Sequence, residues 1–224
     1  MRTDISSACS NYNCPVVAYY PELLRANIPE LNDKNFISPY IDINLPKHSA
    51  EVLSESLKDY GITKKQAAAA YVKAMDALKQ YMTEIETEGE RMIAEARKQN
   101  MPIIVIAGRP YHLDPEINHG IHKLISSLDL AVITEDSIFK KGHTPKLDVL
   151  NQWTYHSRLY RAAQYVTTQK DMQLVQLVSF GCGIDAITTD EVRGILESGG
   201  KLYTQLKIDE INNLGAAKIR LRSL

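Results

Sequence analysis

The sequence predicts an α/β protein: a four-stranded parallel, doubly wound domain of flavodoxin-like or half-Rossmann type, preceded by a long helix and an irregular N-terminal segment. Three observations predict it. From residue 102 onward, apolar runs of strand length alternate with stretches of helical periodicity, and parallel strands need helical crossovers that are almost always right-handed. Between residues 63 and 98, apolar side chains recur at spacings of three, four and seven, the mark of one helix face. Residues 1–48 are Ser/Asn-rich at the start and then punctuated by Pro29, Pro39 and Pro46, a composition that assembles no core of its own. The expected organisation is therefore a segment over 1–48, either the end of an α/β domain or an arm, then a helical strut over 49–100 and the α/β domain over 101–224.

The bulk numbers fit this class. The chain has 224 residues, 44% hydrophobic and 24% charged, and 26 basic against 27 acidic side chains leave a net charge of −1. Balanced charge argues against nucleic-acid binding, which needs a dense Lys/Arg face. The longest apolar stretch, residues 102–108, is far short of the roughly 20 residues that span a bilayer. The first residues lack a signal-peptide core, so the cytoplasm is the expected compartment. Three cysteines in a reducing compartment read as ligands, reactive thiols or small core residues before disulfides.

Taken in order, the run Pro15-Val16-Val17-Ala18-Tyr19-Tyr20 suggests a short strand at about 15–20. Residues 51–59 suggest a short helix stopped by Gly61. Thr63 and Gln66 form an S/T-x-x-Q capping box that opens a second helix, expected to run to Lys98, about 50 Å at 1.5 Å per residue. Residues 103–107 form an apolar run of buried parallel-strand type. Asp114-Pro115-Glu116 reads as an N-cap with Pro at N1 for a helix to Ser127. A second strand is expected over 130–134, a helix over 147–169 and a third strand over 174–180. A helix over 185–198 closed by Gly199-Gly200 then precedes a fourth strand over 202–208 and a last helical stretch from about 209.

Open α/β sheets bind ligands beyond the carboxyl ends of their strands. The candidates there are Gly108-Arg109-Pro110-Tyr111-His112 after the first strand, Glu135-Asp136-Ser137 after the second, Gly181-Cys182-Gly183 after the third and Asp209-Glu210 after the fourth. Cys182 stands out, because flanking glycines clear space around its sulfur and the following helix aims its amides toward the loop. That arrangement suits a thiolate facing a cluster or substrate, and equally a buried cysteine in a tight turn. Arg109 can clamp a phosphate or carboxylate, and His112 can serve as acid, base or ligand; both can also be structural. Cys9 and Cys14 have a spacing found in some metal sites and also met by chance. Cys14 precedes a proline, as cluster ligands sometimes do. His119, His122 and His156 lack a His-Glu-x-x-His pattern and read as surface or core residues. Neither a Gly-rich nucleotide loop nor a Gly-x-Ser-x-Gly elbow is present in the sequence.

Longer motifs carry a resemblance. At residues 14–22 (Cys-Pro-Val-Val-Ala-Tyr-Tyr-Pro-Glu), 107–118 (Ala-Gly-Arg-Pro-Tyr-His-Leu-Asp-Pro-Glu-Ile-Asn), 179–186 (Ser-Phe-Gly-Cys-Gly-Ile-Asp-Ala) and 189–191, and in the closing run 206–216, the chain resembles the C-terminal portion of acyl-CoA dehydratase activase-related proteins. These are similar to 2-hydroxyacyl-CoA dehydratase and benzoyl-CoA reductase subunits and to double-cubane cluster proteins. The resemblance implies an oxygen-sensitive [4Fe-4S] cluster fed by an ATP-hydrolysing activase and passing single electrons to an acyl-CoA thioester. It implies Cys14 and Cys182 as ligands, with Cys9 a less firm third; on that reading Gly181 and Gly183 lie beside the cluster, and Arg109 and His112 line the site as catalytic residues. Full-length relatives are several-fold longer and hold their activase ATP site elsewhere, so this chain is expected to be a fragment or a stand-alone remnant without that site. Two other readings compete. One is a non-catalytic domain that docks an activase or partner subunit, with residues 63–99 as the interface. The other is a small-molecule binder that uses the strand-end rim for CoA or phosphate.

Overall fold

The computed structural model describes residues 12–179, 181–209 and 214–224. The described chain forms two compact units, one of residues 13–83 and one of Tyr12 with residues 84–224.

The first unit is helical. Helix α1, Pro15–Asn27, starts with a proline in its first turn, where the missing N–H costs nothing. Asn13 Oδ1 accepts the Cys14 N–H at 2.8 Å just ahead of it. The strand expected at 15–20 is thus a helix. Its Val/Tyr run favours extended backbone only where a neighbouring strand can pair with it, and this unit has none among the described residues. Helix α2, Pro46–Ser56, begins five residues earlier than expected, again with proline in its first turn. The 3-10 turn Lys58–Tyr60 ends on Gly61 at φ +70°, a left-handed stop suited to glycine. Helix α3, Lys64–Lys98, has the expected extent. Its capping box is formed: Gln66 N–H donates to Thr63 Oγ1 at 3.3 Å and Thr63 N–H to Gln66 Oε1 at 2.9 Å. The Tyr71 hydroxyl, donating to Ile43 O, and the Lys64–Glu51 ion pair fix the start of α3 within this unit.

The second unit contains strands β1 (Ile103–Ala107), β2 (Ala131–Thr134), β3 (Met172–Val178) and β4 (Thr204–Lys207). All pair in parallel in the order β2-β1-β3-β4. The crossovers contain helices α4 (Ile121–Ser126), α5 (Thr154–Thr167) and α6 (Gly183–Ser198), and α7 (Gly215–Arg222) follows β4. Alternation along the strands separates two cores. Ile103, Val105, Met172 and Leu174 pack with Leu159, Ala163 and Val166 of α5, Val192 and Leu196 of α6, and Ile93 and Ala96 of α3. Ile104, Ile106, Val175 and Leu177 pack with Ile121 and Ile125 of α4 and Ala217 and Leu221 of α7. Helices thus cover both faces in the flavodoxin-like, doubly wound arrangement, and every residue of β1 is buried.

Two helices are shorter than their sequence patterns suggest. Asp114 Oδ1 accepts the Glu116 and Ile117 N–H groups, as a cap should. The turn it starts is broken by His119 at φ +52° and Gly120 at φ +74°, so α4 begins only at Ile121. Near residue 153 the backbone is engaged elsewhere. Tyr12 N–H donates to Gln152 O at 3.0 Å and Thr154 N–H to Tyr12 O at 2.9 Å, a parallel bridge that keeps Trp153 extended and delays α5 to Thr154. The C-terminal half of α3 is tied to the same unit by Glu86–Lys140, Glu90–Lys141 and Arg97–Asp171. No helix among the described residues is long and apolar enough to cross a membrane.

Candidate functional site

In the order β2-β1-β3-β4 the chain leaves β1 toward one side and returns to its other side as β3, so the switch point of the sheet lies between β1 and β3. In such sheets ligands bind there, at the carboxyl ends. Residues 108–113 come from the β1 side, and Ser179 and residues 181–185 from the β3 side, and side-chain bonds join them across the crevice.

Arg109 is the centre of this junction. Its Nη2 donates to Asp185 Oδ1 at 2.6 Å and lies 4.0 Å from Cys182 Sγ. Arg109 and Asp185 are both more than nine-tenths buried. His156, from the first turn of α5 and 4% exposed, has its Nε2 3.7 Å from the same carboxylate oxygen. Burial raises the Asp185 pKa, but His156 and Arg109 outweigh it and hold the carboxyl below its ordinary value. Burial lowers the Arg109 pKa, and the Asp185 carboxylate more than restores it. Arg109 Nε, Asp185 Oδ2 and both His156 nitrogens are buried without a hydrogen-bond partner among the described residues.

His112 is set by its backbone. The Arg109 N–H points at His112 Nδ1 at 3.1 Å, so Nδ1 accepts and the ring proton sits on Nε2. Nε2–H then donates to Ser179 Oγ at 3.0 Å, and Ser179 also meets the Tyr111 hydroxyl at 3.3 Å. Burial pushes the His112 pKa down to about 4, so at neutral pH the ring is uncharged and acts as a directional donor bridging the β1 and β3 loops. Gly108 makes room for it, since a Cβ there would come 2.5 Å from Nδ1.

Residues 1–138 match the family described as CoA enzyme activase uncharacterised domain (DUF2229). The chain belongs to this family. The match takes in Cys14, Arg109, His112 and Glu135 and supports the relation to acyl-CoA dehydratase activase-related proteins. Nothing among curated proteins and nothing among solved structures matches the chain.

The sequence resemblance implies a [4Fe-4S] cluster, a group that needs several thiolates. Cys182 suits that donor set: it is a free, half-buried thiol at the N-cap of the 16-residue helix α6, with a guanidinium beside it. A Cβ on Gly181 or Gly183 would meet nothing within 4 Å among the described residues beyond its chain neighbours, so the loop leaves room on both sides of the thiol there. Cys14, at the N-cap of α1, is likewise free and half-buried, and it belongs to the helical unit. Cys9 lies outside the described residues. Among the described residues, no three His, Cys, Asp or Glu side chains come close enough to hold a metal ion. The described part of each unit therefore offers one thiol.

The sequence pointed to Arg109, His112, Cys182 and the glycines of this crevice, but not to His156 or to roles for Asp185 and Ser179. One signal for His156 was its place in a helix following β2, since a doubly wound sheet turns that helix's N-terminus toward the strand-end rim.

Beyond β2, Arg158 of α5 donates to Glu135 Oε1 at 2.8 Å and lies 3.5 Å from Asp136 Oδ2. Its guanidinium sits over the rings of Phe139 and Tyr155. Burial pushes the Glu135 pKa up to about 8, against the pull of Arg158 and with the help of Asp136. Between pH 4.5 and 8 the native state then holds a proton that the unfolded chain releases, so this group's contribution to stability falls as pH rises, by at most about 1.4 kcal/mol per pH unit. His112 works in the opposite sense between about 4 and its ordinary value of 6.5. Comparing wild type with Glu135→Gln isolates the carboxyl. The stability difference, measured by urea unfolding, is expected to shift in favour of the variant between pH 5 and pH 7.5, and a difference independent of pH would contradict the assignment.

Proposed function

We propose that this chain is an iron–sulfur redox module of a 2-hydroxyacyl-CoA dehydratase/activase-like system. Cys182 and Cys14 act as cluster ligands, an ATP-driven activase donates the electrons and an acyl-CoA type substrate accepts them. The same reading puts the chain in the reducing cytoplasm. One observation carries it: a buried guanidinium, anchored by Asp185, lies 4.0 Å from the sulfur of Cys182 at the switch point of the sheet. Family membership supports the system to which the module belongs.

A [4Fe-4S] cluster, when bound, supplies one-electron chemistry. The chain's own residues supply the setting. Arg109 balances negative charge at the Cys182 sulfur and is the group best placed to meet an anionic part of a substrate. Asp185 keeps that guanidinium oriented. His112 stays neutral and joins the β1 and β3 loops through Ser179, so the crevice keeps its shape. Gly181 and Gly183 leave both sides of the thiol clear.

The test is iron and acid-labile sulfide per chain, with the visible spectrum, after anaerobic purification and reconstitution of wild type and Cys182→Ser. Stoichiometric iron in wild type and its loss in the variant is the expected result. Colourless wild-type protein would favour the second reading, a docking domain, for which α1 is the specific observation: Val16, Tyr19, Tyr20 and Leu23 are each about half exposed, and no residue of this apolar helix is buried. Exposed apolar surface of that kind marks interaction sites.

A further inference from the structure

The buried trio Arg109, Asp185 and His156 is larger than an ion pair requires. Asp185 Oδ1 meets both Arg109 Nη2, at 2.6 Å, and His156 Nε2, at 3.7 Å. His156 is in turn packed edge-on against Trp153, with ring centroids 6.2 Å apart. The guanidinium is thus held from behind by groups on two helices while the same Nη2 faces the thiol. Arginine keeps its charge at any ordinary pH, so the sulfur has a fixed cation as neighbour.

We propose that His156 and Asp185 are positioning residues that hold the Arg109 guanidinium against Cys182, and that this makes the crevice selective for an anionic group at the Cys182 sulfur. The proposal concerns the same thiol as the redox reading and deepens it, but its test involves no iron. Cys182 of the full chain, carrying Cys9→Ser and Cys14→Ser, is titrated with two methanethiosulfonates of similar size, the anionic sulfonatoethyl and the cationic trimethylammonioethyl reagent. In each case the thiolate attacks the reagent's sulfur, a mixed disulfide forms and methanesulfinate leaves. Both probes consume the same thiolate, so the fraction ionised cancels from the ratio of their rates.

A unit charge about 6 Å away in a water-like medium changes each rate about threefold, in opposite directions. The anionic-to-cationic ratio is therefore expected to exceed that of a small free thiol by about threefold to tenfold, Asp185 offsetting part of the effect, and to collapse toward the free-thiol value at about 1 M salt. Arg109→Gln is expected to abolish the preference, and Arg109→Lys to keep most of it. His156→Phe is expected to lower the ratio at least twofold and His156→Gln to restore it. A wild-type ratio equal to the free thiol's, or one unmoved by Arg109→Gln, overturns the proposal. If His156→Phe speeds both probes alike, the ring only packs the loop and its positioning role is overturned. Colourless protein that keeps the anion preference would sink the redox reading and leave this one standing.

Discussion

Replacing Asp185 with alanine is expected to cost about 3–5 kcal/mol of stability, the usual penalty for leaving one partner of a buried ion pair without its counter-charge. Arg109 is 8% exposed and its Nε already lacks a partner among the described residues, so loss of the carboxylate strands a cation among the ends of β1 and β3. Asp185→Asn keeps an oxygen acceptor for Nη2 and is expected to cost less. The double variant Arg109→Met/Asp185→Leu removes both charges and is expected to be more stable than Asp185→Ala alone, because desolvating the pair consumes most of its attraction. Urea unfolding of the four proteins measures all of this. An alanine variant as stable as wild type would show that water reaches the guanidinium and that the pair is not buried in solution.

Gly142→Ala is the second large effect, about 3 kcal/mol of destabilisation. A Cβ at residue 142 would sit 2.0 Å from the carbonyl oxygen of Arg161 and 2.9 Å from its carbonyl carbon. Those are backbone atoms of α5 and cannot turn aside, so the helix or the 142–143 segment has to move, and overpacking of that kind costs about 1–3 kcal/mol or more. Movement would also break the Arg161 Nε–H bond to Gly142 O at 3.0 Å and the His143 N–H bond to Gln164 Oε1 at 3.2 Å. Gly181→Ala, where no described residue beyond the chain neighbours lies within 4 Å of the new methyl, is the control and is expected to change stability by less than about 0.5 kcal/mol. If the two variants melt together, the close approach at residue 142 is not present in solution.

What could be read in advance was local. The five residues of β1, the capping box at Thr63 and the reach of α3 to Lys98 each depend on side chains within one or two turns of one another, and all three are as expected. Signals that depend on distant partners misled or were silent. A Val/Tyr run implies a strand only if another strand lies beside it, and α1 formed instead. The start of α5 is set by Tyr12, some 140 residues earlier, through its bridge to Trp153. Glycine is needed at residue 142 because of a carbonyl on α5, which no turn signature announces. At the site, the strand-end rule singled out Arg109, His112 and Cys182. His156 stayed hidden because its partner Asp185 lies 29 residues away on another helix, with no spacing pattern to connect them.

The register of β1 has a bearing on how the chain reaches this state during synthesis. Ile103–Ala107 is complete long before its partner Met172–Val178 exists, since Ala107 and Met172 are 65 residues apart. At about 5–20 residues per second, a ribosome needs roughly 3 to 13 s to cover that distance. Once β2 has been made, β1 can pair with it on one side, while throughout the interval its other side stays an open row of peptide groups flanked by isoleucines and valine. Open edges of that composition template pairing with other nascent chains. Yield in rapid overexpression should therefore fall with translation speed more than native stability alone would suggest, and slower synthesis or a holdase chaperone should recover it.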